Sequence, residues 1–132
     1  MEKKKLGQWM LLAVVCLSFS VGEIYAQKHE FADFKRYAKE NATLAQPVKK
    51  EKRVVFMGNS ITEGWVRTHP DFFKTNGYIG RGISGQTSYQ FLLRFREDVI
   101  NLAPALVVIN AGTNDVAENT GPYNEDYTFG NI

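Results

Sequence analysis

The chain has 132 residues, below the roughly 150 of an average domain, so it holds one domain or part of one. Hydrophobic residues make up 44% and charged residues 23%, which excludes a disordered or collagen-like chain. A net charge of +2 is too small to mark a nucleic-acid binder, and the single cysteine excludes an intrachain disulfide and a cysteine-based zinc cage.

Residues 1–5 carry three lysines, and residues 9–21 (WMLLAVVCLSFSV) follow without a charge. Small Ala26 then precedes Gln27. This pattern is the n-region, h-region and cleavage point of an export signal over residues 1–26, and it predicts a periplasmic or extracellular protein. The apolar run is shorter than the about 20 residues a bilayer span takes, so no stable membrane span is expected. An uncleaved anchor is the alternative. Cys16 lies inside the run and reads as hydrophobic filler. The signal also holds part of the basic charge, so no charged partner follows from the net balance.

Residues 27–52 read as an N-terminal helix and an approach segment. Phe31, Phe34, Tyr37 and Ala38 recur at helical spacing, which predicts a helix over 30–41 with that face inward. Gln46-Pro47 breaks it. Residues 49–53 are a charge run and read as a solvated approach to a strand.

Residues 53–132 read as the N-terminal part of an α/β domain. Residues 53–57 (RVVFM) suit a buried strand, because they are short, apolar and β-branched. Pro70 and Gly77 mark loops, and residues 78–81 form a weaker second strand. From Ser88, an apolar stripe of Tyr89, Leu92, Leu93, Val99 and Ile100 predicts an amphipathic helix ending before Pro104, with Arg94, Glu97 and Asp98 off the stripe. Residues 105–110 (ALVVIN) predict a third buried strand. Apolar strands alternating with helices imply a parallel sheet with right-handed crossovers.

Such sheets bind ligands outside the carboxyl ends of their strands. Three polar, glycine-containing segments follow the three strands: Gly58-Asn59-Ser60-Ile61-Thr62, then Gly82-Ile83-Ser84-Gly85-Gln86-Thr87, then Ala111-Gly112-Thr113-Asn114-Asp115. Ser60 would present its hydroxyl at a helix N-terminus, where free N–H groups favour developing negative charge. Gly85 can offer a backbone N–H and Asn114 a side-chain N–H. A serine with such donors is the apparatus of acyl transfer, and one oxyanion donor is worth about 3–4 kcal/mol in the transition state. Taken singly, each feature has a plainer reading. Ser60 can be an N-cap completed by Glu63 in a capping box, Gly85 a turn glycine, and Asn114-Asp115 a turn pair.

The three segments, in this order, resemble the first three blocks of the SGNH, or GDSL-type, hydrolases, over roughly residues 52 to 132. The resemblance implies a flavodoxin-like three-layer α/β/α fold and hydrolysis of carboxylic esters by lysophospholipases, thioesterases and glycan acetylesterases. It assigns Ser60 as nucleophile. The oxyanion hole would be the Ser60 backbone N–H, the Gly85 N–H and the Asn114 amide. The substrate would be a small-molecule ester, an acetylated glycan or a lipid, and no metal or cofactor is needed. Two departures stand out. Asn59 takes the place of an aspartate in the first block, and it can keep similar hydrogen bonds. The Asp-x-x-His block that carries the family's base has no counterpart by Ile132, so the reading is a domain truncated after about three strands. His29 reads as a solvated group. His69, in Thr68-His69-Pro70-Asp71, has nothing that brings it to Ser60. Phe72, Phe73, Tyr78, Tyr123 and Tyr127 could line a sugar or lipid pocket or belong to the core. The alternatives are a noncatalytic flavodoxin-like module binding a carbohydrate or nucleotide, though the chain has no P-loop and no Gly-x-Gly-x-x-Gly, and an inactive fragment.

Overall fold

Three short apolar stretches pair into one parallel sheet: β1 (Val54–Gly58), β2 (Tyr78–Gly82) and β3 (Leu106–Asn110), in the order β2-β1-β3. The structure is a computed structural model that describes residues 31–132. The export signal and His29 lie outside these residues. Among the described residues, Ala32–Ile132 make one compact unit. The helices are α1 (Lys35–Thr43), α2 (Ser60–Thr68), α3 (Pro70–Asn76), α4 (Ser88–Asp98), α5 (Thr113–Val116) and α6 (Glu125–Gly130), with a short 3-10 turn at Ile100–Leu102. None of these helices is long and apolar enough to cross a membrane.

The register makes the strand ends level. Gly58 pairs with Gly82 on one side and with Asn110 on the other. All three following segments therefore leave the sheet at the same edge.

Strand side chains alternate between faces, so β1 feeds two cores. On one face Val55 and Met57, both fully buried, pack with Phe91 of α4 and with Val99 and Leu102. Burying each such side chain fully is worth about 1.5–3 kcal/mol. On the other face Phe56 meets Trp65, Phe73 and Tyr78 with ring centroids 5.3–5.5 Å apart. Helices thus cover both faces, and the expected α/β/α layering with a three-stranded parallel sheet is observed.

Several local expectations are corrected. The helix expected over 30–41 runs instead as α1 from Lys35 to Thr43, after a turn where Asp33 takes a left-handed φ of +50°. Its buried residue is Tyr37, and Ala32 ahead of the turn is buried as well, while Phe31 and Ala38 are exposed. Residues 70–77 are no loop. Pro70, whose fixed φ suits the first helical position, starts α3, and Gly77 ends it at φ +65°. Arg53 is not solvated. It is buried, and it donates to the Leu102 and Ala45 carbonyls at 2.8 Å each and pairs with Glu51.

Helix α4 and strand β3 depart furthest. Helix α4 buries Ser88, Phe91, Arg94 and Asp98 and leaves Tyr89 and Leu92 exposed, so two charged residues lie on the inner face and part of the apolar stripe lies outside. Strand β3 is a half-exposed edge: Leu106 is 57% exposed and Val108 38%. An edge strand has no neighbour on one side to cover its side chains.

Candidate active site

The sheet edge is assembled by close backbone approach. A Cβ on Gly82 would stand 2.3 Å from the Glu63 nitrogen and 2.8 Å from the Asn59 carbonyl oxygen, so only glycine lets β2 end against the start of α2. A Cβ on Gly58 would meet the Thr62 hydroxyl at 2.0 Å. The Ile83 N–H donates to the Gly58 carbonyl at 3.0 Å and joins the first two segments.

Asn59, not Ser60, caps α2. Its side-chain oxygen accepts the Ile61 N–H at 3.1 Å, and the residue is 1% exposed. Glu63 therefore completes no capping box. Its carboxylate reaches across to the second segment, where it accepts the Ser84 N–H at 3.1 Å and the Ser84 hydroxyl, and it pairs with Arg36 at 3.2 Å. Chiefly the Ser84 hydroxyl, with the Arg36 guanidinium and the Ser84 N–H, holds this carboxyl below the usual glutamate range. Ser60 is exposed at the first position of α2. It lines a hollow of about 780 Å³ with Arg36, Glu63, Arg67 and Ser84.

The third segment docks on the second. The Asn114 side-chain amide donates to the Gln86 carbonyl at 2.9 Å. Asn119 donates to the Gly85 carbonyl at 3.1 Å. Gly85 itself is exposed with φ +78°, a conformation that L side chains rarely adopt. Asp115, which is buried, accepts the Ser88 N–H through both carboxylate oxygens, at 3.1 and 3.0 Å. It anchors α5 to the start of α4.

The structure thus brings Ser60, Gly85 and Asn114 to one edge on three linked segments. His69 is not brought there. It caps the C-terminal end of α2, nine residues beyond Ser60 and so about 13–14 Å along the helix axis, with its ring bonded to the Thr68 hydroxyl. Phe72, Phe73 and Tyr78 belong to the aromatic cluster over β1, while Tyr123 and Tyr127 are exposed. Among the described residues, no group of three His, Cys, Asp or Glu side chains is placed to hold a metal ion.

Sequence reasoning missed Arg94 and the cross-link through Glu63. Arg94 is fully buried and donates to Gln86, Asp98 and the Gly58 and Arg81 carbonyls. Burial pulls its pKa down, against the pull of the Asp98 carboxylate. The one signal was an Arg–Asp pair at i,i+4 following Phe91 at i−3, which puts charge on the face that must pack inward.

A parallel sheet with helices on both faces, and a serine at the carboxyl edge beside the central strand, is the layout of α/β proteins whose chemistry sits at strand ends. The chain belongs to the GDSL-like lipase/acylhydrolase family, whose model matches residues 56–129. It is 93% identical to a GDSL-like lipase from Bacteroides thetaiotaomicron VPI-5482 with a TM-score of 0.76, a match covering 77% of this chain and 50% of that one. It is 80% identical to a protein assigned as an acylhydrolase from Bacteroides fragilis NCTC 9343, also with a TM-score of 0.76, over 76% of this chain and 49% of that one. The chain therefore spans about half the length of these crystallised relatives. No curated protein matches it.

Proposed function

We propose that this chain carries the nucleophile and oxyanion groups of an exported, serine-dependent carboxylic ester hydrolase. Family membership supports ester hydrolysis in general. The observation that carries the finer reading is the exposed hydroxyl position at Ser60, left free of capping by Asn59 and set beside the segments of Gly85 and Asn114. Ser60 Oγ attacks the acyl carbonyl carbon as its proton passes to a general base. The Ser60 and Gly85 N–H groups and the Asn114 amide stabilise the oxyanion of the tetrahedral intermediate. The alcohol leaves with that proton. Water, deprotonated by the same base, then releases the acid and regenerates Ser60. By the family resemblance the base would be the histidine of an Asp-x-x-His block, which has no counterpart among the described residues, and His69 stands at the far end of α2. The substrate is an acetyl or other acyl ester of a glycan or lipid.

The test is hydrolysis of p-nitrophenyl acetate, with fluorophosphonate labelling, in protein carrying this chain at the full length of the crystallised relatives. Ser60→Ala is expected to abolish both. Retained turnover in Ser60→Ala would remove the nucleophile assignment. The 132-residue chain alone is expected to turn over weakly at most, because an unactivated serine is a poor nucleophile.

A further inference from the structure

We propose that Arg94 is a positioning residue that holds the three candidate groups in register, an inference that rests on the hydrolase reading above. Its guanidinium is fully buried on α4, below the sheet edge and away from any substrate. Nε donates to the Gln86 side-chain oxygen at 2.6 Å, and Nη1 donates to Asp98 at 2.8 Å. Nη2 donates to the Gly58 carbonyl at 3.2 Å and to the Arg81 carbonyl at 2.9 Å.

Each contact is a short step from a proposed reacting group. Gly58 ends β1, two residues before Ser60. Gln86 follows Gly85, and its backbone carbonyl receives the Asn114 amide. Arg81 precedes the turn that carries Gly85, near the end of β2. One rigid, planar group thus ties together the ends of two strands and the side chain beside the second oxyanion donor. A lysine cannot substitute, because its donors radiate from a single nitrogen and cannot span these separated acceptors. Burial of so polar a group is costly unless its donors are used, and here the fork meets acceptors on all three nitrogens.

The experiment compares kcat and KM for p-nitrophenyl acetate in Arg94→Lys and Leu102→Ala, in protein of the relatives' full length. Leu102 is a buried core residue whose carbonyl holds Arg53 just before β1, at the opposite end of the sheet. Arg94→Lys is expected to lower kcat about 10- to 100-fold with KM changed less than about threefold, as a misplacement near 1 Å does. Leu102→Ala is expected to lose thermal stability and keep its kcat. Should Arg94→Lys fail to fold, Gln86→Met, which removes the Nε acceptor and keeps the arginine, is expected to show the same fall in kcat. Full kcat in Arg94→Lys, or in Gln86→Met where that variant stands in, overturns the proposal, as does an equal loss in Leu102→Ala. Ser60→Ala in the same assay separates the two readings: activity retained there sinks the hydrolase itself, whereas activity retained only at position 94 sinks the positioning role.

Discussion

At the scale of single residues, Asn59 shows how one side chain frees another. Its carboxamide oxygen takes the Ile61 N–H, so the helix start is capped without Ser60. Asn59→Ala is expected to cost about 1–2 kcal/mol, the value of a lost N-cap. Asn59→Asp keeps the acceptor and adds a charge that a helix N-terminus favours, so it should stay within about 1 kcal/mol of the parent. Urea midpoints of the two variants check this, and equal losses would remove the capping role. Gly82 sets a harder limit. The added methyl of Gly82→Ala would overlap backbone at 2.3 and 2.8 Å, which cannot swing away as a side chain would. The expected cost is at the upper end of the about 1–3 kcal/mol that overpacking brings, read from thermal unfolding.

At the scale of elements, α2 and the turn after β2 are held by one carboxylate. Glu63 has its pKa lowered by Ser84 and Arg36, so its contribution is present above the ordinary glutamate pKa of 4.5 and is lost as pH falls through the lowered value. The group is partly exposed, and the effect is correspondingly small. Glu63→Gln is expected to unfold earlier in urea than the parent at neutral pH and to converge with it as the pH falls below the lowered pKa of Glu63. A gap that persists in acid would show that charge is not what matters. Helix α3 depends on its ends in the same local way. Gly77 closes it at φ +65° with open space around the Cβ position, so Gly77→Ala should cost about 1 kcal/mol from backbone strain alone.

At the scale of the whole molecule, among the described residues β3 has no strand on its outer edge and holds apolar side chains exposed. Leu106 and Val108 lie on one face and Ile109, 39% exposed, on the other. Exposed apolar edge strands recruit other strands. Residues 27–132 alone are therefore expected to self-associate with rising concentration in sedimentation, and Val108→Lys is expected to shift them toward monomer. An unchanged distribution in that variant would place the association elsewhere.

Much of this organisation was legible beforehand. Strand positions followed from short β-branched runs, and the three polar segments from the glycines after them, because period, turn chemistry and strand-end placement are local properties. The inward face of α4 was misread for the opposite reason. Arg94 and Asp98 look solvated by type, yet they are buried because each satisfies the other and because Arg94 also donates to the Gly58 and Arg81 carbonyls at two strand ends. The role of Glu63 was likewise hidden, since its partner lies 21 residues away. Sequence alone determined the three strands, the parallel sheet and the segments that carry Ser60, Gly85 and Asn114, but not helices α3, α5 and α6. Only tertiary structure decided which polar groups link those segments, because a hydrogen bond between distant residues depends on strand register, which no local pattern encodes.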